Sequence, residues 1–162
     1  MSTPEERFGT DLRLLADLER QDSRAPGSDL GIVRRGDRPL PDGSEPDDLA
    51  TWAGVDNLVQ ALLLRLLTWR GELAPLGHPE YGSRLHELVG ELNTESTRNR
   101  AKLYVLQALG DEPRIRRIVA VTVTASRTAR EQIDIDLRLE AVRHASELRL
   151  VIPFSLTGGA AP

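Results

Sequence analysis

The sequence of 162 residues contains no cysteine. This absence excludes thiol catalysis, cysteine-ligated zinc, iron–sulfur clusters and redox chemistry at the protein's own side chains. Histidine is nearly as rare, and the three residues His78, His86 and His144 do not have the spacing of metal ligands. We therefore expect neither a metal nor a cofactor.

Lysine is almost missing, because Lys102 is the single lysine among 21 basic residues. Arginine supplies the rest, and its planar fork of donors suits protein interfaces. The net charge of -4 and the pI near 5.4 argue against a nucleic-acid groove, which needs a net basic surface. A chain of this size can bury a core without disulfides or metals, so we expect one domain over residues 1–162.

Long apolar runs are also missing, and none approaches the roughly 20 residues that a membrane span needs. The first six residues, MSTPEE, are acidic where a signal peptide is basic and then apolar. The sequence therefore predicts a soluble protein without a membrane partner, made and used inside the cell.

Apolar residues recur at helical spacing in three stretches between residues 54 and 110. The first stretch, 57–70, is apolar nearly all round, which is typical of a helix in the centre of a domain. The second, 80–92, has apolar residues at i, i+4, i+7, i+8 and i+11, and the third, 94–109, continues with the helical period. We predict three helices that present apolar faces to a shared core.

An alternating pattern, with a large apolar side chain at every second position, replaces the helical period in the last third of the chain. Residues 119–124, 132–141 and 147–155 each alternate in this way and predict three antiparallel strands with one exposed face. They form a β-meander over residues 114–156, followed by a tail at 157–162. The predicted fold class is α+β, with three main helices packed on an antiparallel sheet of three or four strands.

The N-terminal third is less regular. Residues 8–15 suit a short strand better than a helix, because their leucines alternate with charged residues after a Gly-Thr break, but both structures stay open. Residues 21–48 are rich in Pro, Gly, Ser, Asp and Arg, so we predict a long exposed insertion loop. One small hairpin around Ile32 and Val33 can interrupt it.

The helical and strand patterns meet at a corner, Glu112-Pro113-Arg114. Pro113 has no backbone N–H and excludes continuation of the preceding helix. An acid and a base flank the proline, and we expect each to point out of the constrained turn in a different direction. The corner is either a connector with solvated charges or a recognition surface that neighbouring Arg116 and Arg117 widen.

Motifs for catalysis are missing. The sequence contains no phosphate-binding glycine loop, no zinc-binding pair of histidines on a helix and no serine in a nucleophile pattern. Glu72 and Glu80 flank a loop and could form a carboxylate pair, but any two of the 25 acidic residues could face each other by chance. We predict that the protein is not an enzyme and has no catalytic residue.

Five motifs occur in order along the chain: Phe8-Gly9-Thr10-Asp11, a run from Gly54 to Thr68, Gly71-Glu72-Leu73, Tyr81-Gly82-Ser83-Arg84-Leu85 and Glu112-Pro113-Arg114-Ile115. Together they resemble the phage baseplate assembly protein W family. Its members are sheath initiators or baseplate wedge proteins of contractile tails, type VI secretion systems and phage-tail-like injection machines. The similarity covers residues 8–15 and 50–156, and the insertion at 21–48 departs from the shorter relatives.

The resemblance implies a structural subunit that joins the helical core bundle of the baseplate wedge to the first ring of the contractile sheath. The implied partners are the wedge proteins, tube or hub proteins, and a sheath subunit that adds a strand to the meander. The implied location is the cytoplasm during assembly and then the phage tail-like particle. The implied protein-interaction residues are Glu112, Pro113, Arg114, Arg116 and Arg117.

Two other functions stay open. The family has also been labelled lysozyme-like, which leaves a peptidoglycan hydrolase as an alternative, although no sequence motif supports it. A small regulatory protein-binding module is the third possibility. Trp52, beside the insertion, is equally compatible with the core and with an interface anchor.

Overall fold

The structure is a computed structural model that describes residues 8–15, 32–34, 47–142, 144 and 146–157. These residues form two α-helices, α1 (Val55–Leu67) and α2 (Glu95–Gly110), and two 3₁₀ turns (Ala74–Leu76 and Leu85–Leu88). They also form seven strands: β1 (Thr10–Leu12), β2 (Ile32–Arg34), β3 (Asp47–Leu49), β4 (Thr51–Ala53), β5 (Ile115–Ala125), β6 (Gln132–Ala141) and β7 (Glu147–Ser155). No helix in the described ranges is long and apolar enough to cross a membrane.

The C-terminal meander contains the longest strands. β6 is central and pairs antiparallel with β5 on one side and with β7 on the other. Alternate side chains of β6 are fully buried in one core with both helices, because successive residues of a strand point to opposite faces. Each such side chain stabilises the fold by about 1.5–3 kcal/mol. These buried residues are Ile133, Ile135, Leu137 and Leu139.

Helix α1 lies in the same core and is buried over most of its circumference. Leu58, Leu62, Leu63 and Leu66 are at most 2% exposed, so the apolar run has no solvated face along these positions. The helix begins after Gly54, whose positive φ of 61° redirects the chain from β4 into the helix.

Two buried amide side chains of α1 hold the N-terminal segment. The side-chain oxygen of Gln60 accepts hydrogen bonds from the backbone N–H groups of Leu14 (2.8 Å) and Leu15 (3.0 Å). Asn57 donates to the carbonyl of Phe8 at 2.9 Å. Because buried amides are costly unless they are paired, these bonds fix the segment that carries β1 against the helix.

The prediction of three helices is wrong, because residues 80–92 do not form an α-helix. They contain one 3₁₀ turn, Leu85–Leu88, preceded by bends and by Ser83, which forms an isolated β-bridge with Trp69. Gly82 and Gly90 have φ values of +102° and +91°, which lie outside the helical region. Leu92, which the helical pattern places in the core, is 80% exposed. The helical spacing of the apolar residues reflects a short turn whose Leu85 and Leu88 pack inward, and it does not continue as a helix.

The prediction of one sheet with three or four strands is also wrong. The described strands form three antiparallel sheets, β1–β4, β2–β3 and β5–β6–β7, so the structure is richer in strand than three helices on a sheet. β1 pairs with β4 and not with the meander. Strands of three residues give little periodic signal, so the sequence did not identify β4 as the partner of the short strand in residues 8–15, or β3 as the partner of the strand at Ile32 and Val33.

Part of the predicted insertion loop falls in the described ranges. Residues 32–34 and 47–48 take part in the β2–β3 hairpin, in which Ile32 faces Leu49 and Arg34 faces Asp47. The other residues of the loop and residues 158–162 of the tail lie outside the described residues.

Candidate protein-interaction site

The corner between α2 and the meander is a tight turn. The backbone N–H of Glu112 donates to the carbonyl of Leu109 at 3.2 Å, and the N–H of Ile115 donates to the carbonyl of Glu112 at 3.0 Å. Pro113 lies between these two bonds, where no N–H is needed. The turn therefore connects the end of α2 directly to the start of β5.

Glu112 points into the protein, and only 4% of its surface is exposed. Its Oε1 accepts a hydrogen bond from Nε of Arg114 at 2.6 Å and another from the Arg114 backbone N–H at 3.3 Å. Its Oε2 lies 3.2 Å from Nη2 of Arg65 on α1. A buried carboxylate held by two guanidinium groups has charged partners that offset its lost hydration.

Tyr81 completes the arrangement. The guanidinium carbon of Arg65 lies 4.6 Å from the centroid of the Tyr81 ring, which is the geometry of a cation–π contact. Nη1 of Arg65 also donates to the carbonyl of Ala108 near the end of α2 at 3.4 Å. The four residues Arg65, Tyr81, Glu112 and Arg114, here named the corner cluster, tie α1, the segment before the second 3₁₀ turn, α2 and β5 together.

Burial and the neighbouring charges together determine the protonation of the cluster. Burial raises the pKa of the Glu112 carboxyl, but the hydrogen bond and charge of Arg114 and the charge of Arg65 outweigh it, so the net pKa is lowered. Burial raises the pKa of Tyr81, and the charge of Arg65 opposes this effect only in part. At neutral pH Glu112 is therefore ionised and Tyr81 is neutral.

The predicted interaction residues occupy different environments. The expectation that Glu112 points outward is wrong, because helix α1 supplies a counter-charge that draws it inward. Pro113, Arg116 and Arg117 are exposed, and the side chain of Arg114 is 35% exposed. The corner thus has an inward acid and an outward basic rim, a name used here for Arg114, Arg116 and Arg117.

The members of the basic rim differ in their partners. Arg114 is held by Glu112, and Arg117 is paired with Glu140 of β6 at 2.5 Å. Arg116 has no ion-pair partner within the described part of the chain. Its guanidinium is therefore the rim charge with most freedom to meet a carboxylate from outside.

Trp52, which the sequence left between core and interface, contributes to the N-terminal attachment. Its Nε1 donates to the carbonyl of Leu15 at 3.1 Å, and the guanidinium of Arg13 lies 4.7 Å from its ring centroid. Trp52 therefore acts inside the protein, as a further anchor for the segment that carries β1.

The carboxylates considered as a catalytic pair are both exposed. Glu80 forms an ion pair with Arg70, and Glu72 accepts a hydrogen bond from the backbone N–H of Trp69. Among the described residues there is no group of three or more His, Asp or Glu side chains that could hold a metal ion.

Sequence reasoning missed Arg65 and assigned Tyr81 only to the core. The sequence did contain a signal for Arg65, because it is the one charged residue in the mostly apolar stretch 58–67. A lone charge on such a buried helix needs a counter-charge. Nothing in the sequence identifies Glu112 as that partner, since the two residues lie on different elements.

The fold has a counterpart among solved structures. The crystal structure of a "putative tail lysozyme" from Geobacter sulfurreducens is similar over 70% of this chain and 100% of that chain, with a TM-score of 0.58 and 24% sequence identity. At this identity the likeness shows a shared fold. No protein-family model and no curated protein sequence matches the chain.

Proposed function

We propose that this protein is a structural baseplate subunit of a contractile phage-tail-like injection machine. In this proposal it joins the core bundle of the baseplate wedge to the first ring of the sheath. The observation that carries the proposal is the fold shared with the whole of a chain described as a "putative tail lysozyme". The protein would be found in the cytoplasm during assembly and in the particle afterwards.

The corner cluster supports the same proposal. Three of the five motifs that resemble the baseplate family meet there: the helix run contributes Arg65, the Tyr-Gly motif contributes Tyr81, and the Glu-Pro-Arg motif contributes Glu112 and Arg114. These motifs are separated in sequence and share one contact network. We infer that the network sets the position of the basic rim, which contacts the wedge proteins.

A peptidoglycan hydrolase is the alternative that the description of the similar structure favours. Hydrolysis of a glycosidic bond needs a carboxylic acid with a raised pKa and a second carboxylate across the scissile bond. Glu112 has a lowered pKa and is enclosed by two arginines, and the exposed Glu72 and Glu80 are engaged elsewhere. These environments support an assembly role and a protein without enzymatic activity.

The proposed contact with the sheath is strand addition to the meander. β6 is paired on both sides, so β5 and β7 are the two edges of this sheet among the described strands, and their outer backbone groups pair with no described strand. β5 has two register shifts in its first half, whereas the pairing of β7 with β6 runs without a shift from Glu147 to Ser155. Because regular strands accept a partner more readily than bulged ones, we propose β7 as the receiving edge.

Amide hydrogen exchange before and after addition of the sheath subunit tests this mechanism. We expect new protection in β7, mainly over residues 147–152, because Pro153 has no N–H and interrupts donation beyond that point. β6 should be protected already in the free protein, and serum albumin at the same concentration should change nothing. Protection confined to residues 55–110, with every strand unchanged, would show that the sheath does not bind by strand addition.

A further inference from the structure

A cleft of about 380 Å³ opens beside the corner and is not used by the corner cluster. It is lined by Arg70 after the end of α1, Arg84 before the second 3₁₀ turn, and Gln107 and Asp111 at the end of α2. All four side chains are polar, so the cleft is suited to a charged or hydrogen-bonding group. Its volume is ample for one long side chain of another molecule.

The two arginines of the cleft already have their own carboxylates. Arg70 forms an ion pair with Glu80. Arg84 makes a two-point contact with Glu87, through Nε at 2.7 Å and Nη2 at 2.9 Å, and its guanidinium lies 4.8 Å from the centroid of the Tyr104 ring. Each guanidinium is therefore matched by one negative charge, and together they leave the cleft without excess positive charge.

Asp111 has no such partner in the part of the chain that the structure describes. Among the described residues no arginine, lysine or histidine pairs with it, and the side chain of Gln107 makes no hydrogen bond. Asp111 is also the C-cap of α2, and the last turn of this helix contains no basic residue. A carboxylate at the negative end of a helix dipole is electrostatically unfavourable, so the cleft carries a negative charge that no described residue compensates by an ion pair.

We propose that this cleft receives an arginine side chain of a partner protein. The planar guanidinium can donate two parallel hydrogen bonds to the Asp111 carboxylate and a further one to the amide oxygen of Gln107 one helical turn earlier. It also places a positive charge at the C-terminal end of α2, where the helix dipole stabilises it. A carboxylate is a poorer occupant, because it meets the negative charge of Asp111 and finds both arginines already paired with Glu80 and Glu87.

This site goes beyond the proposed baseplate function and depends on local charge alone. It is tested by titrating the full isotope-labelled chain with Nα-acetyl-arginine methylamide and following its amide signals by NMR. We expect saturable shifts at Asp111 and at the side-chain amide of Gln107. Asp111→Asn should weaken binding at least fivefold, and raised salt should weaken it further. The same substitution should raise the melting temperature by about 1–3 °C, because it removes the unfavourable charge at the helix end.

Two controls separate this site from general charge attraction. Glu95→Gln removes one negative charge at the opposite end of α2 and should leave the affinity unchanged. The citrulline analogue, which has the same shape without the charge, should not bind. Equal binding to the wild type and Asp111→Asn, absence of saturable shifts, or tighter binding of Nα-acetyl-glutamate methylamide would each overturn the proposal. The amide hydrogen-exchange test of strand addition does not depend on whether the cleft binds arginine. The two proposals can therefore fail independently.

Discussion

Glu112→Gln is expected to lower the free energy of unfolding by about 2–4 kcal/mol. The substitution preserves the size of the side chain but removes the negative charge that faces Arg65 and Arg114. Removing one partner of a buried pair leaves an uncompensated charge, which costs about 3–5 kcal/mol, and the partial exposure of Arg114 reduces this cost. For a chain of this length the melting temperature should fall by about 5–12 °C.

Glu80→Gln is the matched control for this substitution. It also removes the carboxylate of an arginine pair, but the Glu80 side chain is 74% exposed, so the expected loss is below about 1 kcal/mol. Thermal unfolding followed by circular dichroism compares the two variants with the wild type. Equal melting temperatures for both variants would show that the corner cluster adds no stability.

Glu112→Gln should also change how the stability of the protein depends on pH in acid. Because the pKa of Glu112 is lowered in the folded protein, its contribution is present at neutral pH and is lost as the pH falls below the ordinary glutamate value of about 4.3. Glu112→Gln should therefore flatten this part of the stability curve. Some acid sensitivity should remain, because hydrogen bonds from Arg149 and Arg84 lower the pKa of Asp136 and Glu87.

Gly82→Ala is expected to have a comparable or larger effect, with a loss of about 3–5 kcal/mol. Gly82 has a φ of +102°, and a Cβ built there would lie 2.7 Å from the carbonyl oxygens of Thr68 and Trp69. The backbone strain costs about 1–3 kcal/mol, and relief of the clash requires the two backbone segments to separate. Two hydrogen bonds would be disturbed, Ser83 N–H to Thr68 carbonyl and Arg70 N–H to Ser83 carbonyl.

Gly77→Ala is the control variant that separates the effect of backbone strain from the effect of a steric clash. Gly77 also has a positive φ, +87°, but a Cβ there would meet no atom within 4 Å, so the expected loss is about 1 kcal/mol. Urea unfolding of both variants gives the comparison. If Gly82→Ala were no more destabilising than Gly77→Ala, the close approach of the two segments would not be required for the fold.

The long elements could be predicted from the sequence because their patterns extend over many residues. The alternating leucines and isoleucines of β6 and the buried leucines of α1 are repeated often enough to specify one face or one core position. Residues 80–92 show the limit of this approach. Five apolar residues have helical spacing there, but the positive φ of Gly82 and the contact of Ser83 with Trp69 are tertiary features that spacing does not contain.

The site was only partly predictable for a related reason. Pro113 identified the corner, because a proline after a helical pattern ends the helix whatever surrounds it. The direction of Glu112 depends on Arg65, which reaches it from another helix. Likewise, the amides of Asn57 and Gln60 bind an N-terminal segment more than 40 residues away in the chain. Such pairings are set by the packing of elements and are not encoded in local sequence.

We propose two roles for the corner. Glu112 faces inward and stabilises the junction of the helices with the meander, while the exposed Arg116 forms no ion pair with another described residue and is proposed to meet the partner. A substitution of Glu112 that stops assembly is consequently ambiguous, since it also weakens the fold. A substitution of Arg116 separates the two effects, because an exposed charge contributes less than about 1 kcal/mol to stability.

The most direct test of the proposed assembly function is the yield of particles from cells that produce the complete injection machine with Arg116→Glu in this subunit. We expect the purified variant to melt within about 2 °C of the wild type and the particle yield to fall at least tenfold, because a reversed charge at a desolvated contact is strongly unfavourable. Arg127→Glu, an exposed arginine in the β5–β6 turn, is the matched control and should assemble normally. Wild-type yield from the Arg116→Glu variant would contradict the role of the basic rim in baseplate assembly.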